Sequence, residues 1–135
     1  MAVIDTSLVV AYLLNEPAAD AIKRLIMAGG LHAPDVLLIE SANALVTAAR
    51  RRRLGTGQVP VRCALVRRLP IALHASDRLI DRAVGIAIAW HRRPYDGVFV
   101  ALAEMLDTQV LTLDRKLVQG LHGTPLADRV RLLAE

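Results

Sequence analysis

A three-layer α/β/α sandwich built on a mostly parallel sheet is the fold class that the chain predicts. Three observations lead to this α/β reading. Apolar runs too short for helices recur along the chain, longer segments with helical spacing separate them, and proline or glycine falls at the joints.

The first run, Ala2–Ile4, reads as a buried strand, and the helical segments Ser7–Leu14 and Ala18–Ala28 follow it, divided by Pro17. Gly29-Gly30 ends the second of these, and Leu31–Ala33 forms the next strand before Pro34. Val36–Arg52 is the longest helical segment. Gly55 and Gly57 mark the entry to a helix over Thr56–Leu69, Pro70 stops it, and Ile71–Leu73 is the third strand. Asp77–His91 and Tyr95–Leu106 are two more helices, separated by Pro94, and Gln109–Thr112 and Val130–Leu133 complete the strands. Strands that are continuous apolar blocks, joined by helices, belong to a parallel sheet covered on both faces.

With 135 residues, 54% of them hydrophobic, residues 1–135 are expected to form a single domain. The lone cysteine, Cys63, rules out an internal disulfide and suits a reducing cytoplasm. Asp5 interrupts the N-terminal apolar stretch where a signal peptide would continue, and no apolar run approaches the ~20 residues that span a bilayer, so no membrane association is expected. Fifteen arginines and two lysines oppose 13 acids, for a net charge of +4. Such a balance suits a nucleic-acid partner, since the planar guanidinium matches phosphate; a bias in genomic composition accounts for it equally well.

In open parallel sheets the working crevice lies beyond the carboxyl ends of the strands. Asp5 occupies such an end in "VIDTS", and Asp114 occupies another in "LTLD". Each also suits a helix N-cap, and Asp96 in "YDGVFVALAE" suits the first turn of a helix, where negative charge complements the dipole. Glu40 is different. It stands inside a helix among Leu37, Leu38, Ile39, Ala42, Leu45 and Val46, where capping cannot explain it. With Asn43 and Thr47 it forms a polar stripe at spacings of three and four, either a solvated face or the wall of a polar pocket.

Were the four acids to converge, they would repel by about 4 kcal/mol per pair at 4 Å and an effective dielectric of 20, so protonation or a cation would have to relieve them. An all-oxygen donor set favours Mg²⁺ or Mn²⁺ over zinc. Such a site suits metal-assisted phosphodiester hydrolysis with water as the nucleophile.

"VIDTS", "ESANAL" (Glu40 to Leu45), "YDGVFVALAE" (Tyr95 to Glu104) and "LTLDRKL" (Leu111 to Leu117), in this order over residues 3 to about 118, resemble the PIN-domain ribonucleases, and more narrowly the VapC-type toxins of bacterial toxin–antitoxin pairs. The resemblance implies an endoribonuclease whose Asp5, Glu40, Asp96 and Asp114 gather around Mg²⁺ or Mn²⁺, with Asp5 and Asp96 as the direct ligands to expect first. It implies supporting roles for Thr6 or Ser7 beside the first acid, for Thr112 two residues before the last, and for Asn43 beside the helix acid. It also implies a small cognate antitoxin that seats a side chain in the acidic site, and a homodimer. Residues 119–135 carry no diagnostic feature beyond a last strand.

The arginine run Arg50–Arg53 either complements the dipole at a helix C-terminus or contacts RNA phosphates, and Arg92 and Arg93, near Asp96, leave the same choice open. His91 has no partner in sequence and receives no role. Trp90, Tyr12 and Phe99 follow apolar helical spacing and read as core, whereas Tyr95 neighbours Asp96 and fits either core or mouth. The apolar faces of Ser7–Leu14 and Val36–Val46 suit either the sheet or an antitoxin groove. Competing functions are an RNA-processing PIN nuclease outside a toxin–antitoxin system, a phosphate-accepting receiver, which would need a second acid close to Asp5, and an RNA-binding module whose acids are only caps.

Overall fold

The chain threads its central strand first. In the computed structural model, which describes residues 1–133, β1 (Ala2–Ile4) lies in the middle of a five-stranded sheet of order β3-β2-β1-β4-β5, all strands parallel. Its partners are β2 (Leu31–Pro34) and β4 (Val110–Thr112), with Ala2 opposite Leu31 and Val3 opposite Val110; β3 (Ile71–His74) and β5 (Val130–Leu132) are the edges. Val3, Ile4 and Val110 are fully buried, as strands covered on both faces require.

Among the described residues, seven α-helices accompany the sheet: α1 (Thr6–Leu13), α2 (Ala19–Ala28), α3 (Val36–Arg50), α4 (Gln58–Val66), α5 (Ile80–Trp90), α6 (Pro94–Met105) and α7 (Arg115–Leu121). Helix α6 packs on α5 and lies against β1 and β2, while α1 packs with α2 and α3 and touches β4. The result is the expected three-layer sandwich. Every residue of α6 from Gly97 to Ala103 is buried, so this stretch of the helix is enclosed by the core on all sides. Among the described residues, no helix is long and apolar enough to cross a membrane.

Three helical segments differ from expectation. The segment expected from Asp77 begins as a 3₁₀ turn, Ser76–Arg78, because Asp35 Oδ1 accepts hydrogen bonds from the Ser76 amide (3.2 Å) and hydroxyl (2.5 Å) and draws that turn toward the start of α3. Helix α4 begins only at Gln58, after Gly55 and Thr56 accept the Gln58 and Val59 amides in turns. Helix α7 was absent from the pattern; Asp114 caps it, and Leu117 and Leu121, four apart, bury its inner face.

The order β3-β2-β1-β4-β5 also places the reversal of strand order at β1. The chain steps outward from β1 to β3 and then returns to the other side of β1 for β4. Crevices in open parallel sheets form at such a switch point, outside the carboxyl ends of the strands.

Candidate functional site

Asp5 leaves β1 and Asp114 leaves β4, two adjacent parallel strands, so both acids emerge at the carboxyl edge of the sheet. Both are helix caps. Asp5 Oδ1 accepts from the Leu8 amide (3.4 Å), and Asp114 Oδ1 accepts from the Lys116 (2.9 Å) and Leu117 (3.3 Å) amides. Capping and site formation are therefore one arrangement: the cap fixes the backbone that presents the carboxylate. Glu40 arrives from the middle of α3 and Asp96 from the first turn of α6. All four acids line one cavity of about 290 Å³, with Asn43 and Arg93 on its wall and Phe99 and Leu117 also lining it.

The hydroxyls divide their work. Thr6 Oγ1 donates to Glu40 Oε1 (2.7 Å), so it joins the start of α1 to α3. Ser7 Oγ donates to Asp5 Oδ1 and Thr112 Oγ1 donates to Asp5 Oδ2, each at 2.5 Å. These two hydroxyls in turn accept backbone amides, Ser7 from Leu113 (3.0 Å) and Thr112 from Asp114 (2.9 Å). Each hydroxyl proton is thereby directed at Asp5, whose two oxygens both act as acceptors, the role of an ionised carboxylate. The expectation of Thr6 or Ser7 beside the first acid resolves into both, on different acids.

Burial works against that ionised form. Asp5 is 8% exposed, and burial pushes its carboxyl up to about 6; the hydrogen bonds from Ser7, Thr112 and Leu8 pull it back, and nearby Asp114 raises it. Glu40 is also raised, first by burial and then by Asp96, against the lowering pull of Thr6 and Arg93. Arg93 Nη2 stands 3.6 Å from Asp96 Oδ1 with its own side chain 73% exposed. Among the described residues no salt bridge reaches Asp5.

Among the described residues, no three His, Cys, Asp or Glu side chains are gathered closely enough to hold a metal ion as they stand. The donor set nevertheless fits a hard divalent ion: four carboxylates on one cavity supply only oxygen, and Asp5 is buried with hydroxyl and amide donors but no cationic partner.

Other expected residues fall elsewhere. Thr47, third in the α3 stripe, lines a different hollow with Val10 and Leu14. Arg92 turns from the cavity: its guanidinium donates to the backbone oxygens of His91 and Lys116, each at 3.3 Å, and lies on α7. His91 closes α5 in the left-handed conformation (φ 52°), a terminal role. Phe99 is in the core, with Trp90 and Tyr12 packed against that core, and Tyr95 is 54% exposed and does not line the acid cavity. The apolar face of α1 packs inward through Leu8, Val9 and Leu13, whereas α3 leaves Ile39 67% exposed.

Two glycines make close approaches that the sequence leaves unmarked. A Cβ on Gly97, next to Asp96, would sit 2.5 Å from the Ala83 carbonyl oxygen, so only glycine lets α6 approach α5 this closely. A Cβ on Gly120 would sit 2.8 Å from Arg92 Cζ, the far end of a side chain that can shift aside, so this contact constrains the position less than that at Gly97. A glycine inside a helical apolar pattern is the available signal for such close approach.

Comparison with known proteins places these features in context. The family model described as PIN domain matches residues 2–119. Ribonuclease VapC9 of Mycobacterium tuberculosis is 34% identical over 117 residues, 87% of this chain and 88% of that protein. Ribonuclease VapC3 of Pyrobaculum aerophilum is 30% identical over 120 residues, 87% of this chain and 92% of that one. In fold, the chain resembles the crystal structure of PAE2754 from Pyrobaculum aerophilum (TM-score 0.71, 20% identity, 90% of this chain and 80% of that one). It also resembles a chain of a toxin–antitoxin complex from Klebsiella pneumoniae (TM-score 0.62, 15% identity, 99% and 97% covered).

Proposed function

The chain belongs to the PIN-domain family, and from that membership we propose that it is a metal-dependent endoribonuclease, the toxin of a toxin–antitoxin pair. The observation that carries this reading is the four-acid cavity at the switch point of the sheet, in a chain 34% identical to a VapC ribonuclease. Asp5, Glu40, Asp96 and Asp114 are the catalytic set and would hold Mg²⁺ or Mn²⁺, with Asp5 and Asp96 as the direct ligands. What the cation supplies when bound is Lewis acidity at the phosphoryl group and charge to offset the leaving oxygen.

The chain's own residues supply the rest. Ser7 and Thr112 hold Asp5 in its acceptor state and orient both of its oxygens. Thr6 sets the rotamer of Glu40, leaving Oε2 outside that bond, and Asn43 stands beside it on the cavity wall. Arg93, its side chain 73% exposed, would meet a non-bridging phosphate oxygen beside Asp96. The partners in this reading are RNA, a small antitoxin that occupies the acidic cavity, and a second copy of the chain, all in the cytoplasm.

The test is cleavage of RNA by the purified protein, freed of any partner, with Mg²⁺ or Mn²⁺ and with EDTA. Cleavage that depends on the metal, and growth arrest on expression that a co-expressed antitoxin relieves, are the expected results. Cleavage unaffected by EDTA removes the metal from the scheme, and absence of cleavage with either metal rejects the enzyme.

A further inference from the structure

A second hollow, of about 550 Å³, opens beside the acid cavity and shares Glu40, Asn43 and Arg93 with it. Its volume lies within the roughly 300–1,000 Å³ of small-ligand sites. Ile39, Ala42 and Val46 line it from one face of α3, at helical spacings of three and four, and Tyr95 stands at its side. Among the described residues nothing covers this face: Ile39 is 67% and Tyr95 54% exposed. Arg50 and Arg93 also line it, against the single acid Glu40.

An apolar floor, one exposed aromatic ring and two guanidiniums, continuous with a site that takes a phosphodiester, match one ligand chemistry. A nucleotide has a flat base for the ring and floor and an anionic phosphate for the arginines; single-stranded nucleic acid is bound by that combination of stacking platform and positive groove. We propose that this hollow is the subsite for the nucleotide adjoining the scissile phosphate, with Tyr95 stacking on its base and Arg50 meeting the next phosphate. The proposal rests on the endoribonuclease reading and deepens it.

The experiment uses the full chain carrying Asp5→Asn to stop turnover, and single-stranded oligoribonucleotides with 2-aminopurine at successive positions. Binding quenches the fluorophore at one position next to the cleavage point; Tyr95→Ala on this background abolishes the quench and weakens binding about tenfold, and Tyr95→Phe regains most of both. With Asp5 intact, Tyr95→Ala raises KM more than it lowers kcat. Arg50→Ala reduces the salt dependence of binding by about one phosphate contact. Tyr95 is exposed, so its variants fold, and their melting curves check this.

Failures separate cleanly. If the native protein cuts RNA but Tyr95→Ala leaves KM and the quench unchanged, the subsite is wrong and the nuclease reading stands. If Tyr95→Ala instead weakens only the binding of a partner polypeptide, the hollow belongs to that partner. If the native protein cuts no RNA with either metal, the nuclease reading has failed and the subsite falls with it.

Discussion

The four acids of the cavity come in two kinds, and the structure holds them differently. Asp5 and Asp114 stand at the ends of adjacent strands, each tied to backbone amides, and Asp5 receives two further hydroxyls that are themselves held by the backbone. Glu40 and Asp96 ride on helices and are held by side chains alone, Glu40 by Thr6 at 2.7 Å and Asp96 by the exposed Arg93 at 3.6 Å. Strand-borne acids thus have positions set by the sheet, whereas helix-borne acids have positions set by rotamers. The first pair forms a fixed floor and the second an adjustable wall.

Breaking the floor carries the largest expected effect. Asp5→Asn is expected to lower RNA cleavage by more than about a hundredfold, because losing a proposed metal ligand costs more than the ten- to hundredfold of losing its supporting hydrogen bond; single-turnover cleavage measures it.

The same acid governs stability when metal is chelated. The folded-state value of about 6 lies above the ordinary 3.8, so between pH 4 and 6 the folded chain binds a proton that the unfolded chain has released. Stability therefore falls as pH rises through that window, by on the order of 2–3 kcal/mol from this group. Denaturant titrations in EDTA at pH 4.5 and 7.5 are expected to show the fall in the native chain and a smaller fall in Asp5→Asn, where the raised Glu40 still contributes.

Thr112→Val tests the layer beneath the floor. It removes the donor to Asp5 Oδ2 and the acceptor of the Asp114 amide at once, for an expected loss of about 1–3 kcal/mol in stability and of about ten- to hundredfold in metal affinity, read by denaturation and by calorimetry with Mn²⁺.

Glu40→Gln has the smallest expected effect. The amide oxygen still accepts from Thr6, the half-buried charge is gone, and activity falls about tenfold with no loss of melting temperature. A loss as large as that of Asp5→Asn in the same assay erases the distinction between floor and wall.

How much of this was legible in the residues depends on what each feature rests on. Asp5 and Asp114 were readable because a parallel sheet puts all strand ends on one edge, a rule of topology that needs no side-chain coordinates. Glu40 was readable as an acid in an apolar helix. The division of Thr6 and Ser7 between Glu40 and Asp5 was not, since it depends on where successive side chains of the first turn of α1 point relative to α3 and β4. Helix α7 was missed because seven residues carry too little periodicity, and its stability comes from packing through Leu117 and Leu121 rather than from propensity. The close approaches at Gly97 and Gly120 depend on partners 14 and 28 residues away, Ala83 and Arg92.

The buried run of α6 has a consequence in time. From Gly97 to Ala103 every residue is buried, so the amides of this stretch are expected to exchange with solvent more slowly than those on the outer face of α3, as hydrogen exchange would measure. Asp96 is attached to this enclosed segment. Its carboxylate can turn about its own bonds in nanoseconds, yet the backbone that carries it stays registered to the sheet for as long as the protein is folded.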